Sequence, residues 1–128
     1  MKAILNERYG SPDILELREV DRPAAKPKEV LVKVLASSVN RADWYMLKGE
    51  PFPVRIAGGL FKPKYQILGA DIAGVVEQTG SKVTQLKPGD EVYSDLSGAG
   101  FGGFAEYVTA DENLLAKKPS TLTFEEAA

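Results

Sequence analysis

The fold is decided by residues 67–92, which read ILGADIAGVVEQTGSKVTQLKPGDEV. The run from Ile72 to Val76 is apolar apart from one glycine, and such a run predicts a strand that is buried on both faces. Pro88 and Gly89 occupy the two central positions of the turn that follows. This pair favours a type II turn, because glycine adopts positive φ without strain. No pair of catalytic groups lies in this stretch, so its pattern predicts a structural scaffold.

Outward from this stretch, apolar alternation and clusters of glycine and proline predict a series of short strands. These strands are expected at residues 2–6, 14–20, 29–39, 91–95, 103–110 and 114–117. Leu15 and Leu17 alternate with charged residues, so their strand should be half-buried. The valine-rich strand at 29–39 should be central in its sheet. Short strands with little helix predict a mainly β fold, a barrel or a sandwich, with one or two short helices.

One internal segment carries a complete helix signal. Asn40 is a favourable N-cap, Asp43 occupies the third helical position and Gly49 ends the pattern, which predicts a helix at Arg41–Lys48. The segment that follows, residues 50–65, is rich in proline and glycine. It is expected to form an irregular loop.

A second helix signal begins at Thr123, which forms a capping-box pattern with Glu126. The sequence stops before this helix completes two turns, and an isolated helix of that length is not stable in water. We therefore interpret residues 1–122 as one domain. Residues 123–128 are interpreted as the start of a helix that leads to a further domain, so the sequence is expected to be a fragment of a longer polypeptide.

Composition excludes several classes of protein. The chain has 128 residues and a net charge of −2, with no basic stripe for nucleic acid and no basic amphipathic helix for a membrane surface. It contains no cysteine and no histidine, which excludes disulfides, Ser-His-Asp and Cys-His catalysis and a structural zinc site. Acid–base chemistry would fall to Asp, Glu, Lys or Tyr. With no signal peptide in the first residues, a cytoplasmic location is the default expectation.

Residues 98–103 satisfy the dinucleotide-binding pattern G-x-G-x-x-G, but their context argues against that interpretation. The fingerprint requires a helix after the glycines, so that the N-terminal amides of the helix can meet a pyrophosphate. The next residues, FAEYVT at 104–109, are instead typical of a strand. We interpret residues 98–103 as a flexible glycine loop that joins two strands.

Three blocks of sequence, correctly ordered and spaced, resemble a known family. They are GADIAGVVEQTGSKV at 69–83, KPGDEV at 87–92 and GFAEYV at 103–108. Together they resemble the N-terminal, GroES-like domain of the medium-chain dehydrogenase/reductase superfamily, and the resemblance covers essentially the whole chain. It implies a partly open β-barrel, followed in the full-length protein by a Rossmann domain that this sequence lacks. It also implies that the full-length protein is a homodimer.

Departures from the family pattern identify the branch. Zinc-dependent members carry His and Glu where this chain has Ala70 and Asp71, and zinc alcohol dehydrogenases carry Cys near the position of Asn40. The chain is therefore similar to the zinc-independent, quinone-oxidoreductase-like branch. The V-N-x-x-[DE]-x-Y pattern of that branch is matched by the residues from Val39 to Tyr45. The resemblance implies reduction of a small-molecule quinone, activated alkene or carbonyl by NADPH or NADH, without zinc.

The resemblance assigns expected roles to residues in and near the helix at Arg41–Lys48. Asn40 is expected beside the nicotinamide end of the cofactor, where its amide could donate or accept a hydrogen bond, although it could also serve only as the helix cap. Tyr45 is the candidate catalytic residue, expected to polarise a substrate carbonyl, although aromatic side chains on short helices more often serve packing. Asp43 and Phe52 are expected to line the substrate pocket. Phe52 stands where this branch often has a second tyrosine.

Three other side chains are expected to be structural. Trp44 faces a different direction from Tyr45 and is expected in the core. Asp71 and Glu106 are the carboxylates nearest to the signature stretch. Asp71 is expected to accept backbone hydrogen bonds, because a buried carboxylate without a partner is costly.

Two functions without chemistry stay open. Co-chaperonin-like binding modules share the fold, assemble as rings and present a mobile loop that ends in an apolar tripeptide. The basic loop at residues 51–65 has no such tripeptide in the expected early position. The chain could also belong to a scaffold protein built on a degenerate dehydrogenase, since fold-level analogy alone does not establish activity. The residues present favour the oxidoreductase.

Overall fold

The computed structural model describes residues 1–128, and short strands dominate it. The strands are β1 Lys2–Leu5, β2 Glu16–Glu19, β3 Glu29–Ser38, β4 Asp71–Thr79, β5 Glu91–Asp95, β6 Tyr107–Asp111 and β7 Ala116–Lys117. The helices are α1 Arg41–Lys48, α2 Pro53–Gly58 and α3 Phe124–Ala127, with 3-10 turns at Pro12–Ile14 and Glu112–Leu114. The expected mainly β fold is confirmed, with three short helices instead of one or two.

The main sheet has five antiparallel strands in the order β6-β3-β4-β5-β7. Strand β3 pairs with both β4 and β6, so the prediction that residues 29–39 form a central strand is confirmed. The second sheet is the pair β1-β2. It joins the first through a bridge between Ala3 and Ala105, and Leu5 also bridges to Ile67. The two sheets do not close completely, which gives the partly open barrel that the resemblance implies.

Strand β4 runs through the centre of the main core. Ile72, Ala73 and Val76 are buried, whereas residues 77–79 at the end of the strand are exposed. The prediction of a strand buried on both faces is therefore confirmed for most of its length. Ile72 and Val76 share one cluster with side chains of the neighbouring segments, which are Val30, Val32, Val92, Leu96 and Val108. Full burial of such a side chain contributes about 1.5–3 kcal/mol, which makes this cluster a main source of stability.

Gly69 and Gly89 are two of the six glycines with positive φ, a backbone conformation that other residues rarely adopt. Gly69 has φ +96 just before β4, and a Cβ at this position would lie 2.5 Å from the Phe104 nitrogen, closer than packing allows. Gly89 has φ +94, and the Asp90 N–H donates to the Lys87 oxygen at 3.1 Å. These values confirm the predicted type II turn between β4 and β5.

Three local predictions are wrong. Strand β2 is exposed along its whole length, with 68% of Leu17 accessible, because it pairs only with β1 at the margin of the main core. Residues 50–65 are not wholly irregular, because Pro53 begins α2, where the fixed φ of proline suits a first helical turn. Trp44 is exposed, because the buried residues of α1 are Asp43 and Leu47 on another face of the helix.

The last helix has the predicted capping box. The Thr123 hydroxyl accepts from the Glu126 N–H at 3.1 Å, and the Glu126 carboxylate accepts from the Thr123 N–H at 2.8 Å. Helix α3 contacts β3 and β4 of the main sheet. The division into residues 1–122 and 123–128 stays a prediction.

Candidate functional site

The N-terminus of α1 organises the candidate site. The Asn40 side-chain oxygen accepts from the backbone N–H of Ala42 at 2.8 Å and of Asp43 at 3.4 Å. In return, Asp43 Oδ2 accepts from the Asn40 N–H at 3.0 Å, which completes a capping box. Gly49 ends the helix in the left-handed conformation, with φ 63. The predicted helix and both of its caps are therefore confirmed.

Asp43 also ties α1 to the start of the signature strand. Its other oxygen, Oδ1, accepts from the backbone N–H of Gly69 at 2.9 Å and of Ala70 at 3.1 Å. Only 3% of Asp43 is accessible. Both carboxylate oxygens are thus engaged by main-chain amides, which satisfies the charge without a cation. The structure places Asp43 behind the site surface, as the residue that fixes α1 against the signature stretch.

The Asn40 side chain makes a further contact that the sequence did not reveal. Its Nδ2 donates to Asp71 Oδ2, and the Ser38 hydroxyl approaches the same oxygen at 3.5 Å. The Ser37 hydroxyl donates to the Asp71 backbone oxygen at 2.7 Å. The expectation that the Asp71 carboxylate accepts backbone hydrogen bonds is therefore wrong, because its partners are side chains. Glu106, by contrast, accepts from the Lys2 N–H at 2.7 Å, a structural contact as expected.

An open depression of about 510 Å³ lies at this end of α1. Val39, Asn40, Arg41, Trp44 and Tyr45 line it. The structure therefore brings together the two predicted residues Asn40 and Tyr45, and Tyr45 is 37% accessible there.

Phe52 lies outside this depression. It precedes α2 as its N-cap residue and is exposed. Helix α2 contacts α1, but Phe52 does not line the depression.

Helix α2 is held in place by Tyr9 and Arg55. The Arg55 side chain donates to the Gly49 oxygen at 3.0 Å and stacks over the Tyr9 ring at 4.6 Å. The Tyr9 hydroxyl donates to the Gly59 oxygen. Burial raises the pKa of Tyr9, and the neighbouring Arg55 charge offsets part of this rise. These contacts join the end of α1 to both ends of α2.

The glycine loop at residues 98–103 is not followed by a helix. The next element is β6, which starts at Tyr107. Phe101 has φ 64, and its ring packs into a small cluster with Leu47 and Leu68. The prediction of a strand-to-strand loop is confirmed, although the strand begins later than expected.

Two further kinds of feature are absent from the structure. It contains no group of three or more His, Cys, Asp or Glu side chains placed to hold a metal ion. None of its helices has both the length and the apolar character needed to cross a membrane.

Comparison with protein families matches residues 26–120 to the alcohol dehydrogenase GroES-like domain. The chain belongs to this family. Along its entire length it is similar to 2-methylene-furan-3-one reductase of Solanum lycopersicum, with 40% identity, and to the chloroplastic NADPH-dependent alkenal/one oxidoreductase of Arabidopsis thaliana, with 37% identity. The chain spans 33% of the length of each of these relatives.

A solved structure supports the same assignment. The quinone oxidoreductase of Coxiella burnetii superposes with a TM-score of 0.86 at 32% identity, covering 100% of this chain and 40% of the other. The chain therefore corresponds to the GroES-like part of these longer relatives.

Two features of the site were missed by sequence reasoning. Both are hydrogen bonds between residues that are far apart in the chain. One joins Asn40 to Asp71, and the other set joins the Gly69 and Ala70 N–H groups to Asp43. Their only sequence signal is that a carboxylate stands at each of positions 43 and 71, and this signal does not identify a partner.

Proposed function

We propose that this chain is the substrate-side domain of an NAD(P)H-dependent, zinc-independent oxidoreductase that reduces quinones, activated alkenes or carbonyls. The observation that carries the proposal is that the Asn40 side-chain amide has one N–H group without a partner. Its oxygen accepts from two backbone N–H groups, and one of its two side-chain N–H groups donates to Asp71. One N–H is left on a residue that lines the depression. Asn40 therefore fits a ligand that offers a hydrogen-bond acceptor, such as a carboxamide oxygen.

The residues present fit the nicotinamide end of a cofactor. Asn40 would hold its carboxamide, and the exposed wall formed by Val39 and Trp44 would lie against apolar parts of a ligand. When bound, a reduced nicotinamide supplies a hydride. The work left to the chain is to orient the acceptor, polarise it and exclude water.

Tyr45 is the group that would polarise the acceptor. Its phenol lies in the same depression as Asn40 and can donate a hydrogen bond to an oxygen on which negative charge develops. Asp43 would contribute by fixing α1, and Phe52 would add an apolar surface at the edge of the substrate cleft.

Zinc independence is part of the proposal. Asn40, Ala70 and Asp71 occupy the places at which zinc-dependent members of the superfamily have Cys, His and Glu. An alanine offers no ligand atom, the Asn40 amide is already hydrogen-bonded, and Asp71 Oδ2 already accepts from side chains. These residues do not fit a catalytic zinc.

The properties of the full-length protein are proposed on the same resemblance. We expect a cytoplasmic homodimer in which NADPH or NADH binds between this domain and a Rossmann domain. A small-molecule acceptor would enter the cleft between them. A sizing column would test the assembly, since a stable sevenfold ring would instead indicate a co-chaperonin-like module.

The activity test uses the chain extended by about 200 residues, roughly one further domain. Oxidation of NADPH and NADH is followed with a quinone, an enone and an aldehyde, with and without a chelator. We expect turnover that the chelator does not change. Loss of activity with chelator would contradict zinc independence, and absence of cofactor binding would favour the scaffold function.

Two variants locate the site within that assay. Tyr45→Phe should lower kcat by about 100-fold, because one donor to a developing oxyanion is lost. Tyr93→Phe is the matched control, since Tyr93 on β5 is also 37% accessible and does not line the depression. Asn40→Ser retains a helix cap but loses the amide, and should raise the cofactor KM by about tenfold. Equal effects of the two tyrosine variants would contradict the role of Tyr45.

A further inference from the structure

Asp71 is a half-buried carboxylate at the candidate site, and it has no cationic partner. Its carboxylate oxygens accept only from the Asn40 amide and, at 3.5 Å, from the Ser38 hydroxyl. No lysine or arginine of the chain forms an ion pair with it, although several other carboxylates are paired in this way. Keeping a partly buried charge without a counter-ion is costly. The position therefore calls for a reason beyond packing.

The Asn40 cap alone does not fix the plane of the amide. Its oxygen makes one short bond, 2.8 Å to the Ala42 N–H, and one long bond, 3.4 Å to the Asp43 N–H. An amide held mainly through one atom can pivot about that bond. A second bond, made by the nitrogen at the other end of the group, removes this freedom. Because its acceptor is charged, that bond is roughly twice as strong as a neutral one.

The Asp71 carboxylate is itself well anchored. Asp71 is the first residue of β4, and its main chain pairs with Ser38 on β3 and Asp95 on β5. The Ser37 hydroxyl also donates to its backbone oxygen, at 2.7 Å. The carboxylate therefore extends from a rigid strand end, as is needed for a group that orients another.

We propose that Asp71 is a positioning residue that fixes the Asn40 amide, so that Asn40 meets its ligand only as a hydrogen-bond donor through one N–H. This inference rests on the proposed function, because it assigns Asn40 to the ligand. It deepens that function by setting the chemistry of the ligand group, which must present an acceptor such as a carboxamide or carbonyl oxygen. A group that presents a donor to Asn40 would be rejected.

The first test reads the amide directly by NMR of the ¹⁵N-labelled 128-residue chain. Asn40→Ser identifies the side-chain signals of Asn40 by their loss. We expect one of the two amide protons to be shifted downfield and to exchange slowly, because it is bonded to a carboxylate. Asp71→Ala should move that proton upfield, whereas Asp71→Asn should retain part of the shift through its amide oxygen.

Ser37→Ala is the matched control for this experiment. It removes a hydrogen bond to the Asp71 backbone but leaves the carboxylate, so the Asn40 signals should stay in place. An Asn40 proton that does not respond to Asp71→Ala would overturn the positioning role. An equal response to Ser37→Ala and Asp71→Ala would also overturn it, because it would show a general disturbance of the strand end.

The second test measures coupling in the extended enzyme. Asp71→Ala should raise the cofactor KM by about fivefold with little change in kcat, since only orientation is lost. In the Asn40→Ser background the same substitution should have no further effect, because Asp71 acts through Asn40. Additive effects of the two substitutions would overturn the inference. If no variant and no parent protein oxidises NADPH, the proposed function fails, while the NMR result still decides whether Asp71 positions the amide.

Discussion

At each end of strand β4, a buried carboxylate accepts hydrogen bonds from the main chain of the adjoining segment. The two ends differ in the structural element that carries the carboxylate. Before the strand, Asp43 accepts the N–H groups of Gly69 and Ala70. After it, Glu112 accepts those of Thr84 and Gln85. The accessible fractions of the two acids are 3% and 8%, and neither forms an ion pair. Both buried acids thus act as hydrogen-bond acceptors for main-chain N–H groups, so burial alone does not identify a catalytic acid in this domain.

The difference lies in the element that carries each acid. Asp43 belongs to α1, whose N-cap is Asn40, so the same carboxylate that holds the strand also sets the position of the candidate site. Glu112 belongs to a 3-10 turn after β6. Loss of Asp43 should therefore affect stability and the site together, whereas loss of Glu112 should affect stability alone.

The largest effect is expected from Asp43→Ala. It leaves the buried amides of Gly69 and Ala70 without acceptors, so the free energy of unfolding should fall by about 4 kcal/mol. Urea denaturation measures this loss, and the Asn40 side-chain NMR signals should shift in the same variant. Asp43→Asn should lose less, because one amide oxygen can still serve Gly69 and Ala70. A variant as stable as the parent would contradict the fastening role.

A smaller effect is expected from Glu112→Ala. The residues it serves, Thr84 and Gln85, are exposed, so water can replace the lost acceptor. The free energy of unfolding should fall by about 2 kcal/mol in urea denaturation, the contribution of a charged hydrogen bond. The Asn40 signals should stay unchanged. If they move as they do in Asp43→Ala, the two ends are not independent and the comparison fails.

The smallest effect concerns Asp90, a half-buried acid at the turn between β4 and β5 that also accepts a main-chain hydrogen bond. The Asp90 carboxylate accepts from the Lys87 N–H at 3.0 Å, and this bond, with the charges of Lys117 and Lys87, lowers its pKa. A lowered pKa stabilises the fold above the unfolded value of about 3.9, and this contribution is lost as the pH falls through the folded value. Asp90→Asn should therefore show a shallower decrease in Tm below about pH 4. Scanning calorimetry against pH measures it.

Glu125→Gln is the control for the pH experiment, because Glu125 is exposed and makes no hydrogen bond or ion pair. It should follow the parent protein at every pH. An Asp90→Asn profile that also follows the parent would show that the turn between β4 and β5 does not depend on the charge of Asp90.

Local patterns in the sequence were sufficient for the parts of the fold that depend on neighbours in the chain. The cap at Asn40, the left-handed Gly49, the turn at Pro88 and Gly89 and the capping box at Thr123 all follow from spacings of a few residues. The burial of β4 could be predicted in the same way, because it depends on the apolar composition of the run.

Features that depend on residues distant in the chain could not be predicted from the sequence. Leu17 has the alternation of a half-buried strand, but its exposure is set by the position of β2 beside β1 alone. Trp44 has the size of a core residue, yet the inward face of α1 is taken by Asp43, which the Gly69 and Ala70 amides hold there. The link from Asn40 to Asp71 spans 31 positions, and nothing near either residue predicts it.

The bridge between Ala3 and Ala105 sets the order in which the domain can be completed during synthesis. Strand β1 is joined to the segment before β6 by bonds from the Ile4 N–H to the Phe104 oxygen at 2.9 Å and from the Glu106 N–H to the Lys2 oxygen at 3.1 Å. Translation adds about 5–20 residues per second, so the first strand waits on the order of 5–20 s for these partners. During that time β1 can pair only with β2 and, once it has been made, with the segment at Ile67. The N-terminal strand is therefore the first part of the barrel to be made and among the last to be secured.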